Sequence, residues 1–454
     1  MRSMLLAATA LVALTTTALA DQEYPAVLEG HAILPAATFI KPPADAPESL
    51  LHAAKYTTPD RHRADKLGSI PGMDGVRPTG LSMPFDGQAV QGLSGIKKMG
   101  DGTFWSLSDN GFGSKANSVD AMLMLHHFKI DWQKGSVERT ETIFLSDPDK
   151  KVWFPIVNEA SKERYLTGAD FDVESIQPVA DGFWIGEELG PFLIKVDKAG
   201  KVMAVIDTKI DGKPVMSPDH PALSMPANPT AKLPAFNLAR SRGFEGLAQS
   251  KDGTKLYGLL EGALYKEDGT QEMVDGHPAL RILEFDVAKQ AWTGRSWLYP
   301  FATGGESIGD FNMIDEKTGV VIERDQGVGS ADKACPDPKS PKPDCFANPA
   351  KVKRIYKIAF DDSNVGKAVQ KIGYIDLLAI KDPKNVKRQG GGAGFYDMPF
   401  NTIENVDIVD ATHIIVADDN NLPFSAGRAL DKADDNEFVL LEVGELLNAQ
   451  SASQ

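Results

Sequence analysis

Residues 92–110 of the chain, GLSGIKKMGDGTFWSLSDN, contain the pattern that decides the fold. A small and apolar opening leads into a short strand, and Asp101-Gly102 then marks a tight turn. A second hydrophobic strand follows and ends in an acid and an amide. Alternating apolar residues on both sides of an Asp-Gly turn are typical of two antiparallel β-strands.

The same plan recurs four more times along the chain. The other copies lie at residues 173–188, 244–261, 307–325 and 403–420. A third strand follows most copies, and a fourth usually comes after a short turn. Four-stranded units that repeat about every 65 to 95 residues are typical of propeller blades. We therefore predict an all-β chain that folds as a β-propeller of five or six four-stranded blades in a single domain; a β-sandwich is the alternative.

The last unit is incomplete, because it has only a third strand, Glu437–Val443, before the chain ends. An N-terminal strand near His31–Ile40 is expected to complete it and close the ring. The predicted organisation is an N-terminal segment at 21–90, a propeller domain at 91–446 and a tail at 447–454. A sixth blade would have to lie within a long insertion.

The first 20 residues have the features of a secretory signal peptide. Arg2 precedes a largely apolar run from Met4 to Leu14, and Ala18-Leu19-Ala20 forms an A-x-A site. This pattern predicts cleavage near Ala20 and a protein that is secreted or periplasmic. A membrane anchor is the alternative, although the apolar run is short for a bilayer.

The charge balance limits the class of partner. The chain has 48 Lys and Arg against 63 Asp and Glu, a net charge of −15. Nucleic acids and anionic lipid surfaces need a basic face, so we expect neither as the main partner. We expect a monomer without a membrane span that acts on a small anionic or ester substrate.

The two cysteines, Cys335 and Cys345, frame a loop rich in Pro, Lys and Asp. In an oxidising compartment they are expected to form one disulfide. The alternative is a metal pair, which lacks a nearby His or further Cys to complete it.

Acids recur at corresponding places of the repeat. In an up-and-down blade the first strand starts at the rim where the second strand ends, so acids at these two places should meet around one channel mouth. A ring of like charges is unfavourable without a cation, and Ca²⁺ prefers several carboxylate oxygens. We predict Ca²⁺ as the cofactor; capping of strand ends is the alternative role. The candidate metal ligands are Asp109, Glu174, Glu188, Glu245, Glu261, Glu323, Glu404 and Asp419.

Two cations interrupt these acids. Arg242 precedes Glu245 by three residues, and Arg324 stands between Glu323 and Asp325. Arginine binds phosphate and carboxylate groups through two parallel hydrogen bonds, so both are candidate substrate-binding residues. The alternative role is a salt bridge with the acids around them.

At these motifs the sequence resembles the phytase-like secreted bacterial family named for the esterase-like activity of phytase. The matching pieces are GLSG at 92–95 with SDNG at 108–111, RGFEGL at 242–247, VIERD at 321–325, and TIE at 402–404 with ADDN at 417–420. The resemblance implies a propeller related to the Ca²⁺-dependent β-propeller phytases. Those enzymes hydrolyse phosphomonoesters with an activated water at an acidic mouth.

Three hypotheses of function follow. The first is a metal-dependent phosphoesterase or esterase, whose catalytic residues the sequence does not identify. The second is a non-catalytic, metal-stabilised propeller that binds a periplasmic ligand or protein; it is favoured by the lack of a convincing acid–base His near any repeat motif. The third is a serine esterase, because Gly305-Glu306-Ser307-Ile308-Gly309 fits G-x-S-x-G and His413 follows later.

Overall fold

The computed structural model describes residues 22–224 and 235–450. The predicted signal peptide at 1–20 lies outside the described residues. Within them, the secondary structure is almost entirely β-strand, with one short α-helix at Gly444–Asn448. Short 3₁₀ turns lie at Glu48–Leu50, Ala331–Lys333 and Asp362–Asn364. No helix in this described part of the chain is long and apolar enough to cross a membrane.

Most strands in the described ranges belong to five antiparallel units of four strands, which we call units I to V. Unit I consists of Leu93–Lys98, Phe104–Ser108, Met124–Asp131 and Ser136–Phe144. Unit II consists of Val173–Val179, Gly182–Glu187, Phe192–Asp197 and Val202–Asp207. Unit III consists of Phe244–Gln249, Lys255–Leu260, His277–Asp286 and Ala291–Pro300. Unit IV consists of Ser307–Met313, Thr318–Arg324, Lys353–Ala359 and Gln370–Asp376. Unit V consists of Thr402–Ile408, His413–Asp419, Asn436–Glu442 and Val27–Leu34.

Shorter strand pairs lie in the connections between the main strands of the five units. Phe39–Ile40 pairs with Gln88–Ala89, and Ile70–Asp74 pairs with Arg77–Met83. Lys209–Ile210 pairs with Lys213–Pro214, and Ile380–Lys381 pairs with Phe395–Tyr396. Met273–Val274 pairs with the start of the third strand of unit III.

The units are arranged in a ring around their first strands. The first strand of each unit contacts the first strand of the next, and that of unit V contacts that of unit I. Each pair of neighbouring units also shares one apolar core; Trp105 of unit I, for example, packs in one cluster with Phe183 of unit II. The sheet of one unit cannot bury its apolar side chains alone. The apolar contacts between neighbouring units therefore stabilise the ring. The all-β propeller predicted from the repeat is confirmed.

The N-terminal strand and the C-terminal part of the chain meet in unit V. Val27–Leu34 lies antiparallel to Asn436–Glu442, with Ile33 opposite Glu437. The strand begins at Val27, earlier than the residue His31 expected from the sequence, because apolar side chains such as Leu28 are already buried there. The helix at Gly444–Asn448 spans the predicted domain end at residue 446, and the domain boundaries themselves stay predictions.

A buried polar network fixes this closing sheet. Glu437 accepts hydrogen bonds from Arg428 Nε at 2.8 Å and from the Tyr396 hydroxyl, and its Oε2 lies 2.9 Å from His31 Nε2. Burial alone would raise the pKa of Glu437, but Arg428 holds it down at about 2. The carboxylate is therefore charged at neutral pH and balances a buried guanidinium.

Replacing Glu437 with Gln is expected to destabilise the protein by about 3 kcal/mol, because the buried guanidinium of Arg428 loses one of its carboxylate partners and keeps Asp397, at 2.9 Å. Urea unfolding followed by tryptophan fluorescence measures the loss. Glu29→Gln is the matched control on the same closing strand: Glu29 pairs with the well-exposed Lys384, and exposed pairs contribute at most about 1 kcal/mol. Equal effects of the two substitutions would contradict this role for Glu437.

Cys335 and Cys345 are bonded, with an S–S distance of 2.00 Å. Both are buried, and the loop that they close lies in the long connection between the second and third strands of unit IV. The neighbouring Phe346 packs under the guanidinium of Arg77, whose centre lies 4.5 Å from the ring centroid. The disulfide loop is thus attached to the N-terminal segment.

Candidate functional site

A β-bulge interrupts the first strand of every unit near its start. In units II, III and V the pairing with the second strand skips one residue, which is Glu174, Glu245 or Glu404. A bulged residue leaves the strand ladder, so its side chain can be turned from the sheet face. All three glutamates line one pocket at the centre of the ring.

The second strands bring a further residue to the same pocket. The pairing places Ser108, Glu187, Leu260, Glu323 and Asp418 at equivalent positions opposite the first strands. The residue that follows each of them lines the pocket: Asp109, Glu188, Glu261, Arg324 and Asp419. The ring therefore has four acids and, in unit IV, one arginine at the equivalent position.

The pocket has a volume of about 190 Å³ and a strongly acidic lining. Asp172, which directly precedes the first strand of unit II, adds a carboxylate that the sequence analysis missed. Its position next to Val173 was the available signal, since the repeat starts there. Eight carboxylates of the described residues line the pocket: Asp109, Asp172, Glu174, Glu188, Glu245, Glu261, Glu404 and Asp419.

The carboxylates approach each other closely enough to share a cation. One group consists of Asp172, Glu174 and Glu188, and another of Glu188, Glu245 and Glu261. Within each group, one oxygen from every residue lies within 4.8 Å of the others. Glu188 belongs to both groups, so it would contact a cation held by either of them.

Three carboxylate oxygens of this cluster lack a hydrogen-bond donor within the described chain, and oxygens of this kind are suitable ligands for Ca²⁺. Among the described residues no donor reaches three buried oxygens, Asp172 Oδ1, Glu188 Oε1 and Glu245 Oε1. A buried acceptor without a donor is costly, and a cation removes that cost. The donor set is oxygen alone, as Ca²⁺ prefers, and no histidine lines the described pocket.

The pKa values of the cluster show the same electrostatic strain. Burial, together with neighbouring carboxylates, raises the pKa values of Asp109, Glu174, Glu188 and Glu245 well above their usual range. Burial and the nearby Glu404 raise the pKa of Asp419 to about 8. Without a cation, several of these groups therefore hold protons at neutral pH.

The stability of the metal-free protein is expected to fall as the pH rises from about 5 to about 9. A carboxyl group with a raised folded-state pKa stabilises the fold below its unfolded-state pKa. That contribution is lost as the pH rises through the folded-state value, about 8 for Asp419. Melting temperatures measured in EDTA across this pH range test the slope. Saturating Ca²⁺ should flatten it, and an equal slope with and without Ca²⁺ would contradict a cation at the cluster.

Arg324 is the buried cation of the ring. Its Nη2 donates to Glu404 Oε1 at 2.9 Å and lies 3.5 Å from Glu261 Oε1. Its Nε and Nη1 have no acceptor among the described residues, although both are buried. A guanidinium with unused donors beside a cation site is suited to bind an anion.

Arg242 lies at the edge of the ring. Its Nη1 donates to Ser307 Oγ and lies near Glu261 Oε2, both at 2.7 Å, and its side chain is 34% exposed. The Glu261 carboxylate thus stands between the two arginines. Of the two arginines predicted to bind substrate, Arg324 lines the pocket, whereas Arg242 contacts the pocket residue Glu261.

Glu323 is the one predicted metal ligand that the structure does not bring to the pocket. Its carboxylate accepts hydrogen bonds from the Tyr299 hydroxyl and from Lys371 Nζ, both at 2.6 Å. Successive side chains on a strand point to opposite faces, so when Arg324 lines the pocket Glu323 must point away from it. The predicted ligand Glu323 thus lies one residue before the position that lines the pocket, which Arg324 occupies.

The structure contradicts the serine-esterase hypothesis. Ser307 is fully buried, and its Oγ accepts from Arg242 and from Gln326. His413 begins the second strand of unit V, about 20 Å along the strand from the pocket-lining Asp419, and pairs with Asp410. A serine nucleophile needs a base within hydrogen-bond reach, and the motif needs a following helix; Ser307 instead begins a strand.

The chain matches the model of the phytase-like family, described as esterase-like activity of phytase, over residues 88–422. An "Uncharacterized secreted protein" of Arthroderma benhamiae is 24% identical over 239 residues, which are 42% of this chain and 46% of that protein. The chain thus spans about half the length of this relative.

Two solved structures have low similarity to the whole fold. A luciferin-regenerating enzyme has a TM-score of 0.33 at 11% identity, covering 80% of this chain and 94% of the other. A GH43 β-1,3-galactosidase has a TM-score of 0.37 at 10% identity, covering 83% and 94%.

Proposed function

The chain belongs to the phytase-like family, and from this premise we propose that it is a secreted, Ca²⁺-dependent hydrolase of ester bonds. The observation that carries the proposal is the pocket in which eight described carboxylates surround one buried arginine with two unused donors. Such an arrangement is suited to hold cations on one side and an anionic group on the other. Secretion after cleavage near Ala20, and a monomeric state, are parts of the proposal.

The roles of the side chains follow from their positions. Asp172, Glu174, Glu188, Glu245 and Glu261 would hold the cations, because they form the two close carboxylate groups. Bound Ca²⁺ would lower the pKa of a water molecule and offset negative charge on the substrate.

The remaining ring residues orient these groups. The Ser94 hydroxyl donates to Glu404 Oε2 at 2.9 Å, and the other oxygen of Glu404 accepts from Arg324. This chain of contacts holds the guanidinium in place and leaves Nε and Nη1 without an acceptor among the described residues. Asp109 and Asp419 add two further carboxylates to the pocket lining, from units I and V.

Arg324 favours a phosphoester over a carboxylic ester. A phosphomonoester is anionic in the ground state and gains negative charge at its oxygens as it reacts, so a buried guanidinium can bind and stabilise it. A neutral carboxylic ester has no comparable need for a fixed cation. We therefore propose phosphomonoesters as the preferred substrates.

A non-catalytic binding propeller is the second candidate. The observation in its favour is that no His, Lys or Tyr is among the described residues that line the pocket, so a proton for the leaving group would have to come from a carboxyl group or from water. In that case the cations would stabilise the fold, and the pocket would bind an anion without turnover.

Hydrolysis assays distinguish the candidates. The mature protein is treated with EDTA and assayed on p-nitrophenyl phosphate, p-nitrophenyl acetate and phytate, with and without added Ca²⁺. Phosphate release that returns only with Ca²⁺ is the expected result. If EDTA does not change the rate at which the acetate ester is cleaved, the metal-dependent mechanism is contradicted. If Ca²⁺ raises the melting temperature without hydrolysis of any of the three, the binding propeller is supported.

A further inference from the structure

One wall of the acidic pocket is apolar. Phe112, Leu422 and Phe424 line it together with the carboxylates and Arg324. Phe112 belongs to the connection after the second strand of unit I, and Leu422 and Phe424 follow the second strand of unit V. Units V and I are neighbours in the ring, so these side chains come from one side of the mouth.

The apolar wall is built on a core of its own. Phe112 and Leu422 are buried in a cluster with Met83 and Phe85 of the N-terminal segment. Phe424 packs against the same cluster and stays partly exposed. The aromatic side chain of Phe424 is therefore held by the cluster and still partly accessible. It is suited to contact an apolar group of a ligand, because its position is already fixed before binding.

The charges of the pocket disfavour a substrate with many phosphate groups. Arg324 is the single cationic side chain among the described residues that line it, against eight carboxylates. One guanidinium can bind one phosphate through two hydrogen bonds, but additional phosphates would face carboxylates.

The size of the pocket gives a second limit. Its volume of about 190 Å³ is below the roughly 300 to 1,000 Å³ typical of sites for drug-sized ligands. It suits one tetrahedral ester group and the start of its alcohol part, with the rest of the alcohol extending along the exposed edge of Phe424.

We infer that the substrate is a phosphate monoester whose alcohol part is apolar, with the phosphate at Arg324 and the alcohol group on Phe424. The inference rests on the proposed function and names its substrate class. Hydrolysis would form a bond from the water oxygen to phosphorus and break the bond from phosphorus to the alcohol oxygen. One proton of the water ends on the alcohol, so phosphate and the free alcohol leave.

Binding of phosphonates tests this inference without turnover, because their phosphorus–carbon bond is not hydrolysed. Isothermal titration calorimetry compares phenylphosphonate with methylphosphonate on the Ca²⁺-loaded mature protein. We expect phenylphosphonate to bind about tenfold tighter, since part of its ring leaves water against Phe424. We expect myo-inositol hexakissulfate, a polyanion in place of phytate, to bind more weakly than either phosphonate.

A variant pair localises the effect. Phe424→Ser should bring the two phosphonate affinities within about twofold of each other, because serine offers the phenyl group no comparable apolar surface. Phe395→Ser is the matched control, because Phe395 is a 43% exposed aromatic that does not line the pocket. It should leave the preference for phenylphosphonate intact.

Equal affinities of the two phosphonates in the unchanged protein, or tighter binding of the hexakissulfate, would overturn the inference. So would a lack of phosphonate binding in a protein that releases phosphate from p-nitrophenyl phosphate with Ca²⁺. None of these outcomes contradicts the proposed function. The proposed function is contradicted by a different result, namely that Ca²⁺ restores no hydrolysis.

Discussion

Glu188→Gln is expected to lower Ca²⁺-dependent hydrolysis by at least about 100-fold, a larger effect than that of other single carboxylate substitutions. Changes in the surroundings of metal ligands already cost about 10 to 100-fold, and loss of a ligand costs more. Glu188 belongs to both groups of close carboxylates, so its loss affects both cation positions. Kinetics at saturating Ca²⁺ measure the change.

The same substitution should act on stability with opposite signs in the two states. Without Ca²⁺, burial in the cluster raises the pKa of Glu188, so folding must either protonate this carboxylate or bury its charge; glutamine has no such cost, and the melting temperature at neutral pH should rise. With Ca²⁺ it weakens the binding that stabilises the folded state, which amounts to about 2.7 kcal/mol at a concentration 100 times the dissociation constant. The gain in melting temperature on adding Ca²⁺ should therefore shrink.

Glu323→Gln is the matched control for Glu188→Gln. Glu323 is also a buried glutamate that was a candidate ligand, but it pairs with Tyr299 and Lys371 away from the pocket. Its substitution should destabilise both states alike and leave Ca²⁺ affinity unchanged. If Glu323→Gln weakens Ca²⁺ binding and Glu188→Gln does not, the assignment of the ring residues is wrong.

Arg324→Met is expected to reduce hydrolysis of phosphomonoesters by about 100 to 1,000-fold, the range found when one fixed hydrogen-bond donor to a reacting oxyanion is removed. Within residues 22–224 and 235–450 the buried Nε and Nη1 groups of Arg324 have no acceptor, so we expect them to donate hydrogen bonds to the substrate anion. Methionine fills similar space but offers neither charge nor donors. Separate values of kcat and KM show whether the loss lies in binding or in the reaction.

Stability provides the second measurement on Arg324. At neutral pH and without Ca²⁺, Arg324→Met removes the positive charge beside Glu404 and Glu261 and should lower the melting temperature, the reverse of Glu188→Gln. Arg324→Lys keeps the charge but loses the planar fork, so it should keep most of the stability and still lose activity. Arg242→Met should have a smaller effect, because Arg242 is 34% exposed and does not line the pocket. Unchanged activity in Arg324→Met would contradict its role as the anion-binding residue.

Most of the site could be predicted because the repeat sets a common register. Glu174, Glu245 and Glu404 occupy one equivalent position, and Asp109 and Glu188 occupy another, so a shared motif was enough to expect them together. Asp172 was missed because the equivalent register positions of the other units hold no acid; they are Gly92, Gly243, Ser307 and Thr402. Its place in the pocket depends on the way the chain enters unit II.

The repeated motifs, the alternation that makes them strands and the acids at the strand ends are all visible in the amino-acid sequence. Whether Glu323 or Arg324 lines the pocket depends on the folded chain, because neighbouring residues on a strand point to opposite faces and the bulge in unit IV shifts the register. The folded chain also determines the apolar wall around Phe424, which requires the N-terminal segment to pack against loops of units V and I. These contacts join residues far apart in the chain, and no local pattern in the sequence specifies them.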